Sequence, residues 1–282
     1  MKTIRVAGVP EHFNLPWHLC IEEGKFKDNG LDVKWRDYPD GTGAMCKALR
    51  NGDVDVAVIL TEGIVKDIHN GNDARIVQEY ITSPLIWGIH VDAHSKFRSL
   101  EDLKNTKVAI SRYGSGSHLM AYVNAKNLGW DPNQLQFEEV GTIEGAIEAL
   151  KAGKAGYFLW EHFTTKPFVD KGVFRRLADC PTPWPCFVIA VRKEFLENYS
   201  TVLLMLKILN SVTQNFKEIP GIATALSKKY DQKKTDILQW LKITEWSQKQ
   251  ISIMEIDKVQ EQLLELDLIP KKLENSHFLL NN

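Results

Sequence analysis

Gly114, Ser115, Gly116, Ser117 and His118 form the run in this chain best suited to hold a polar group. Before it, Lys107 to Ile110 read as a short buried strand. After it, Ser115 to Leu128 switch to helical periodicity, with Leu119, Met120, Val123 and Leu128 as apolar positions. A strand, a Gly/Ser turn and a helix start leave several backbone N–H groups directed into one small volume. The hydroxyls of Ser115 and Ser117 and the imidazole of His118 add to them, making a socket for a polar or anionic ligand group. The alternative is an ordinary glycine turn with a serine N-cap. His118, in the first helical turn, would be kept neutral by the helix dipole, with one hydrogen bond to donate or accept.

The same residue types recur in other predicted loops. Glu11, His12, Phe13 and Asn14 lie between Pro10 and Pro16. Asp40 and Thr42 lead into a helix. Thr61 and Glu62 stand at a strand's carboxyl end, as do Glu161 and His162 after Trp160; Tyr113 and Trp184 complete the set. Glu161 reads as an acceptor for a ligand amine or as a partner of Arg112. The histidines and glutamates could ligate zinc, but no H-E-x-x-H or H-x-H spacing occurs, so no metal is expected. A G-x-S-x-G elbow and a G-x-G-x-x-G fingerprint are both missing, and no catalytic residue or cofactor is assigned. Phe13, Tyr113, Trp160, Phe163 and Trp184 offer flat rings that suit a small heterocycle, or that cover the lobe cores. Glu11, Asp40, Glu62 and Glu161, with Arg112 as the only arginine in these loops, weigh against a dianion and favour a neutral or amine-bearing heterocycle.

Positioning these residues takes a repeating scaffold. Strands are expected at 4–9, 31–36, 54–60, 74–80, 85–91, 107–110, 135–140, 155–160 and 187–191, with a further short one at 174–177. Helices are expected at 17–23, 44–51, 63–69, 99–104, 115–128 and 143–152. The pattern changes beyond 195, where 195–218, 220–229, 233–241 and 252–265 read as helical and the last ten residues as a tail packed on the surface or disordered. β-loop-helix units with short connections predict an α/β fold. Two such lobes, 1–90 plus 190–282 and 91–189, would be joined by strands that cross between them and hinge near 88–92 and 186–192. Ligands of open α/β sheets bind at the strands' carboxyl ends, where the candidate residues fall.

The bulk numbers fit that frame. A chain of 282 residues can carry two lobes, and 44% apolar with 25% charged residues is ordinary for a globular protein. A net charge of −1 supplies no field to gather nucleic acid or an anionic membrane. No window is apolar enough for membrane insertion. Cys20, Cys46, Cys180 and Cys186 show no C-x-x-C spacing and read as buried thiols, with a Cys180–Cys186 disulfide an option. The start, MKTIRVAGVPEHF, has no leader-like apolar stretch, so a cytoplasmic location is expected, or a periplasmic one if a leader was removed.

Several motifs together resemble a known family. EHFNLPW at 11–17, EEGKFKDNGLDV at 22–33, GTGAMCKALRNGDVDVAV at 41–58, YGSGSHLMAYVNAKNLGWD at 113–131 and GTIEGAIEALKAGKAG at 141–156 are similar to the NMT1/THI5-like substrate-binding proteins. That group includes nitrate, sulfonate and taurine binders and thiamine-pyrimidine proteins. The resemblance implies an α/β, two-lobe type II periplasmic-binding-protein-like fold, each lobe a mostly parallel sheet flanked by helices, with a helical C-terminal region. It implies a small-molecule ligand held in a cleft by loops 10–14, 41–43, 61–62, 113–118 and 160–162, and an ABC permease as partner if the chain is exported. The cysteine-rich motif and cofactor-bearing lysine of the fungal pyrimidine synthases are missing. The functions left open are a solute binder, acting as a monomer or weak dimer; an enzyme of thiamine-pyrimidine or related metabolism using His118, His12 and Glu161; and a regulatory or interaction module.

Overall fold

The computed structural model describes residues 1–280, so Asn281 and Asn282, the end of the expected tail and first lobe, lie outside the described residues. In chain order the elements begin with β1 (Lys2–Gly8), α1 (Leu15–Glu22), α2 (Lys25–Asp28), β2 (Leu31–Asp37), α3 (Thr42–Asn51), β3 (Val56–Leu60), α4 (Thr61–His69) and β4 (Ala74–Ile81). Next come β5 (Ile86–Asp92), β6 (Val108–Ile110), α5 (Gly116–Asn127), β7 (Phe137–Glu139), α6 (Ile143–Lys151), β8 (Tyr157–Glu161), α7 (His162–Asp170), β9 (Phe174–Pro181) and β10 (Phe187–Arg192). Five helices close the chain: α8 (Lys193–Leu196), α9 (Tyr199–Thr213), α10 (Ile222–Lys229), α11 (Lys234–Ile243) and α12 (Ile253–Glu265).

Two sheets result, β2-β1-β3-β10-β4 and β7-β6-β8-β5-β9. Both share one plan: parallel strands, with one antiparallel strand inserted next to the edge. The chain divides into two compact units, Met1–Ser83 with Trp184–Asn282, and Pro84–Pro183. These boundaries come earlier than 90/91 and 189/190. The reason is pairing: β5 is hydrogen-bonded wholly within the second sheet and β10 wholly within the first, so neither strand crosses between units.

Sheet one is built around β3, where Val56, Ala57, Val58 and Ile59 are fully buried, as a central strand covered on both faces must be. Gly52 at φ 71° stops α3 in the left-handed conformation that a side chain resists, and so turns the chain into this strand. α9 lays Val202, Met205, Leu206, Leu209 and Val212 into the core. The edge strand β4 is shielded on its open side. Ile76 N–H donates to Phe278 O at 2.7 Å, Leu279 bridges Ile76, and Trp246 bridges Ile81. The tail is therefore packed as far as these residues, with Phe278 fully buried.

Sheet two departs from expectation in two places. His162–Asp170 is helical, although Pro167, Thr164 and Thr165 dilute the helical signal there. β9 runs to Pro181 instead of ending at Leu177, because β5 supplies a partner along its whole length. Elsewhere, the stretch 195–218 splits at Asn198 and again after Thr213, and α2 forms where no helix was expected. All four cysteines are buried free thiols, so the disulfide option is not taken up. Among the described residues no helix is long and apolar enough to cross a membrane.

One ion cluster ties the two chain segments of the first unit together. Asp55 accepts from Arg5 Nε at 3.0 Å, from an Arg5 terminal nitrogen at 2.7 Å, from Arg5 N–H at 2.9 Å and from Arg192 Nε at 3.0 Å. Burial works against the charged carboxylate, but the two arginines outweigh it and hold the Asp55 pKa below its ordinary value. A depressed carboxyl pKa contributes stability above the unfolded value of about 3.9, and that stability is lost as pH falls through the folded pKa. Asp55→Asn is expected to cost about 2 kcal/mol at pH 7 and almost nothing at the acid end of the folded range. Urea titrations at a series of pH values check this; a pH-independent loss contradicts it.

Candidate functional site

In the first unit β1, β2 and β3 are parallel, so Gly8, Asp37 and Leu60 end at one edge; β10 starts there, with Phe187 paired to Leu60. α4 begins directly after Leu60. Thr61 and Glu62 therefore belong to its first turn and not to a loop before it. Thr61 Oγ1 donates to Pro185 O at 2.5 Å and Thr61 N–H to Cys186 O at 3.0 Å, which fastens the proline-rich segment to the helix start. Trp184 Nε1–H then donates to Glu62 Oε2 at 2.8 Å. Glu62 is only 3% exposed, and its Oε1 has no partner from another residue among the described residues. Burial pushes this carboxyl up to about 7, against the pull of its own backbone N–H and the Trp184 indole. Near neutral pH Glu62 is divided between acid and carboxylate, with one oxygen fixed and the other buried and unpaired among the described residues.

The loop before α1 is a buried turn. His12 sits with its ring 4.2 Å from Trp240, 4.9 Å from Phe13 and 6.1 Å from Tyr230, centroid to centroid. Burial holds its imidazole neutral down to about 3. Phe13 rests 5.1 Å from both Phe187 and Trp240, and its carbonyl accepts from Tyr80 OH at 2.8 Å. Asn14 Nδ2 donates to Val9 O at 2.8 Å. Glu11 is half-buried at the head of this turn, and Asp40 is exposed. Thr42 opens α3; its Cγ2 would lie 2.1 Å from a Cβ at Gly63, so only glycine lets α3 and α4 come this close. Tyr80, Phe187, Tyr230 and Trp240 were not foreseen here. Tyr230 and Trp240 come from the far end of the chain and carry no local signal.

In the second unit β6, β7 and β8 are parallel, so Ile110, Glu139 and Glu161 share an edge. Ser115 is the N-cap of α5, accepting from His118 N–H at 3.3 Å. His118 Nδ1 accepts from Gly114 N–H at 3.1 Å, which makes Nδ1 the unprotonated nitrogen. Its ring meets Tyr113, Tyr122 and Phe137 edge-on at 5.2, 5.1 and 4.7 Å. Ser117 Oγ accepts from Ser111 N–H at 3.0 Å and lies 3.0 Å from Ser115 Oγ, so the hydroxyls brace the turn from within. Tyr113 is 63% exposed.

At the end of β8, Trp160 stacks on Phe158 at 5.2 Å. Glu161 is buried and caps α7, its Oε2 accepting from Thr164 N–H at 2.6 Å; that bond takes the place of the expected pairing with Arg112. Burial raises its carboxyl pKa, while N–H groups of Thr164 and Phe163 oppose the rise. His162 is engaged at both ring nitrogens. An Arg176 terminal nitrogen donates to Nε2 at 2.6 Å, and Nδ1 lies 2.9 Å from Asp179 Oδ1. Guanidinium can only donate, so Nε2 accepts and Nδ1–H points at the carboxylate. Among the described residues no group of three or more His, Cys, Asp or Glu is arranged to hold a metal ion.

Each unit thus gathers its share of the candidate residues at the edge where its parallel strands end. The chain has the α/β fold of the type II periplasmic-binding proteins. Residues 87–180 match the family described as Ca3427-like PBP. The Candida albicans CA3427 gene product, described as having the generic periplasmic binding protein fold, superposes with a TM-score of 0.88 at 24% identity, covering 97% of this chain and 92% of that one. The alkanesulfonate-binding protein SsuA from Xanthomonas axonopodis pv. citri, bound to MOPS, gives 0.80 at 15% identity, with coverage of 96% and 95%. PhnD1 from Prochlorococcus marinus, in complex with methylphosphonate, gives 0.64 at 14%, with coverage of 95% and 99%. No curated protein sequence matches.

Proposed function

We propose that this chain binds a small solute without transforming it, and that the solute presents an amine or a protonated ring nitrogen to Glu62 at the strand-end edge of the first unit. The observation that carries this reading is the Glu62 carboxyl: buried, held through Oε2 by Trp184, and unpaired at Oε1 among the described residues. A buried carboxylate stays charged best beside a cationic donor, and a charge-assisted hydrogen bond supplies that. Sulfonates and phosphonates, which structural relatives bind, would meet this acid unfavourably. An aromatic amine of the thiamine-pyrimidine kind, as the NMT1/THI5-like resemblance implies, meets it favourably. An enzymatic role finds less support, since His12 is enclosed by rings and Glu161 is committed to a helix cap. If the chain is exported, an ABC permease is the natural receiver of the solute.

Mass spectrometry of the natively purified protein, followed by thermal-shift screening of aminopyrimidines, sulfonates and nitrate, tests the reading. Aminopyrimidines should raise Tm and be recovered unchanged after incubation. Selective stabilisation by sulfonates, or conversion of the added compound, rejects it.

A further inference from the structure

The second unit carries a groove of about 670 Å3 at the opposite end of its sheet, lined by residues of 92–97, 106–107 and 150–156. Asp92 ends β5 there, Lys107 precedes β6, and Gly156 precedes β8; Ser117 and Glu161 belong to the other ends of these strands. Five residues of β8 put roughly 15 Å between the two edges. The lining holds Lys96, Lys107, Lys151 and Lys154 against one carboxylate, Asp92. Asp92 Oδ1 already accepts from His94 N–H at 2.8 Å. Of the lysines, Lys107 pairs with Glu138 at 3.4 Å, while Lys96, Lys151 and Lys154 make no ion pair among the described residues. In a chain whose net charge is −1, this is a local concentration of free ammonium groups.

One wall is built rigidly. The Arg175 guanidinium donates to Ala93 O at 2.6 Å, Ser95 O at 3.0 Å and Phe97 O at 2.6 Å, so the loop that presents Lys96 is pinned at three carbonyls. The opposite wall follows the end of α6, where Gly153 N–H donates to Leu150 O at 3.1 Å and Lys154 N–H to Ala149 O at 2.9 Å. Two lysines at a helix end can be explained by the helix dipole alone. That account does not extend to Lys96 and Lys107, which come from other elements and meet the same groove. Its volume falls within the roughly 300–1,000 Å3 range of small-molecule pockets, and Phe97 and Leu150 add apolar surface.

We propose that this groove binds a small molecule bearing two or more phosphate groups. Ammonium groups act as point charges on phosphate oxygens, and several converging on one cavity favour a polyphosphate over a single carboxylate. The test is calorimetric titration at low ionic strength with inorganic triphosphate, ATP and a poly-glutamate peptide. It compares wild type, the triple variant Lys96→Gln/Lys151→Gln/Lys154→Gln, and Glu62→Gln. Triphosphate or ATP should bind wild type and Glu62→Gln alike. The triple variant should bind about tenfold or more weakly, and added salt should weaken binding to wild type. The substituted lysines are exposed, and an unchanged Tm in the triple variant verifies its fold. Failure of triphosphate and ATP to bind wild type overturns the proposal, as does binding that survives in the triple variant. Tighter binding of the peptide than of either phosphate compound also overturns it. Because Glu62 belongs to the first unit and the groove to the second, these results are independent of the solute reading.

Discussion

Glu62→Gln is expected to stabilise the unliganded protein more at pH 8 than at pH 5, by about 2–3 kcal/mol between the two conditions. The Glu62 carboxyl is raised by burial to about 7 in the folded chain, against an ordinary value of 4.5. The folded state therefore binds more protons than the unfolded one between these values. Its contribution to stability is complete below about 4.5 and is lost as pH rises through about 7. Glutamine keeps the carbonyl that accepts from Trp184 and carries no charge to desolvate, so the variant lacks this loss. Denaturant titrations of both proteins across this range measure it, and parallel pH profiles would show that Glu62 does not titrate in that window. The same substitution has the opposite sign for ligand binding. An amine-bearing solute should lose about 10- to 100-fold in affinity, because an ionic hydrogen bond becomes a neutral one. In wild type its affinity should rise as Glu62 ionises toward and above pH 7, while the amine stays protonated. A protein that gains stability but keeps its full affinity for the solute would remove Glu62 from the binding site.

Gly145→Ala is expected to destabilise the protein by about 2–3 kcal/mol, reversing the gain of roughly 1 kcal/mol that alanine normally brings to a helix interior. Gly145 lies in the first turn of α6, whose N-cap Thr142 accepts its N–H at 3.3 Å. A Cβ there would lie 2.0 Å from Val140 O and 3.0 Å from Val140 C, both backbone atoms. Val140 cannot retreat freely: its N–H donates to Ile110 O at 2.8 Å, its carbonyl accepts from Thr142 N–H at 2.8 Å, and Gly141 N–H donates to Ser111 O at 3.0 Å. Relief of the clash would pull on Ile110 and Ser111, where the Ser117 turn is anchored. Equilibrium unfolding of Gly145→Ala should show a lower midpoint. A midpoint equal to or above that of wild type would mean that this backbone yields at little cost.

Local patterns carried much of the scaffold. The apolar run at 54–60, the Gly52 stop, and the strand–turn–helix at 107–128 appear in the structure within a residue or two of the expected bounds, because an unbroken apolar run, a glycine stop and a serine cap are set by neighbouring residues. The α/β class was legible for the same reason, as a repeated alternation of strand and helix, whereas its type II form was implied by the family resemblance. α7 was not, since Pro167 and two threonines mask a helix that Glu161 caps and that packs against β9. β9's last residues are strand only because β5 lies beside them.

The composition and order of the candidate loops are properties of the chain as written, and so is their place at strand ends. Which of their groups remain open is not. Glu62 and His12 both follow a strand's carboxyl end and would be weighed alike from their neighbours in sequence. Folding gives Glu62 Oε2 the Trp184 indole, from more than a hundred residues away, and buries its other oxygen without a partner from another residue among the described residues, whereas it encloses His12 among Phe13, Tyr230 and Trp240. His162, another candidate, has both ring nitrogens occupied by Arg176 and Asp179. Periodicity records that a side chain is covered; desolvation and the pairing that answers it depend on what does the covering, and those atoms arrive from distant parts of the chain.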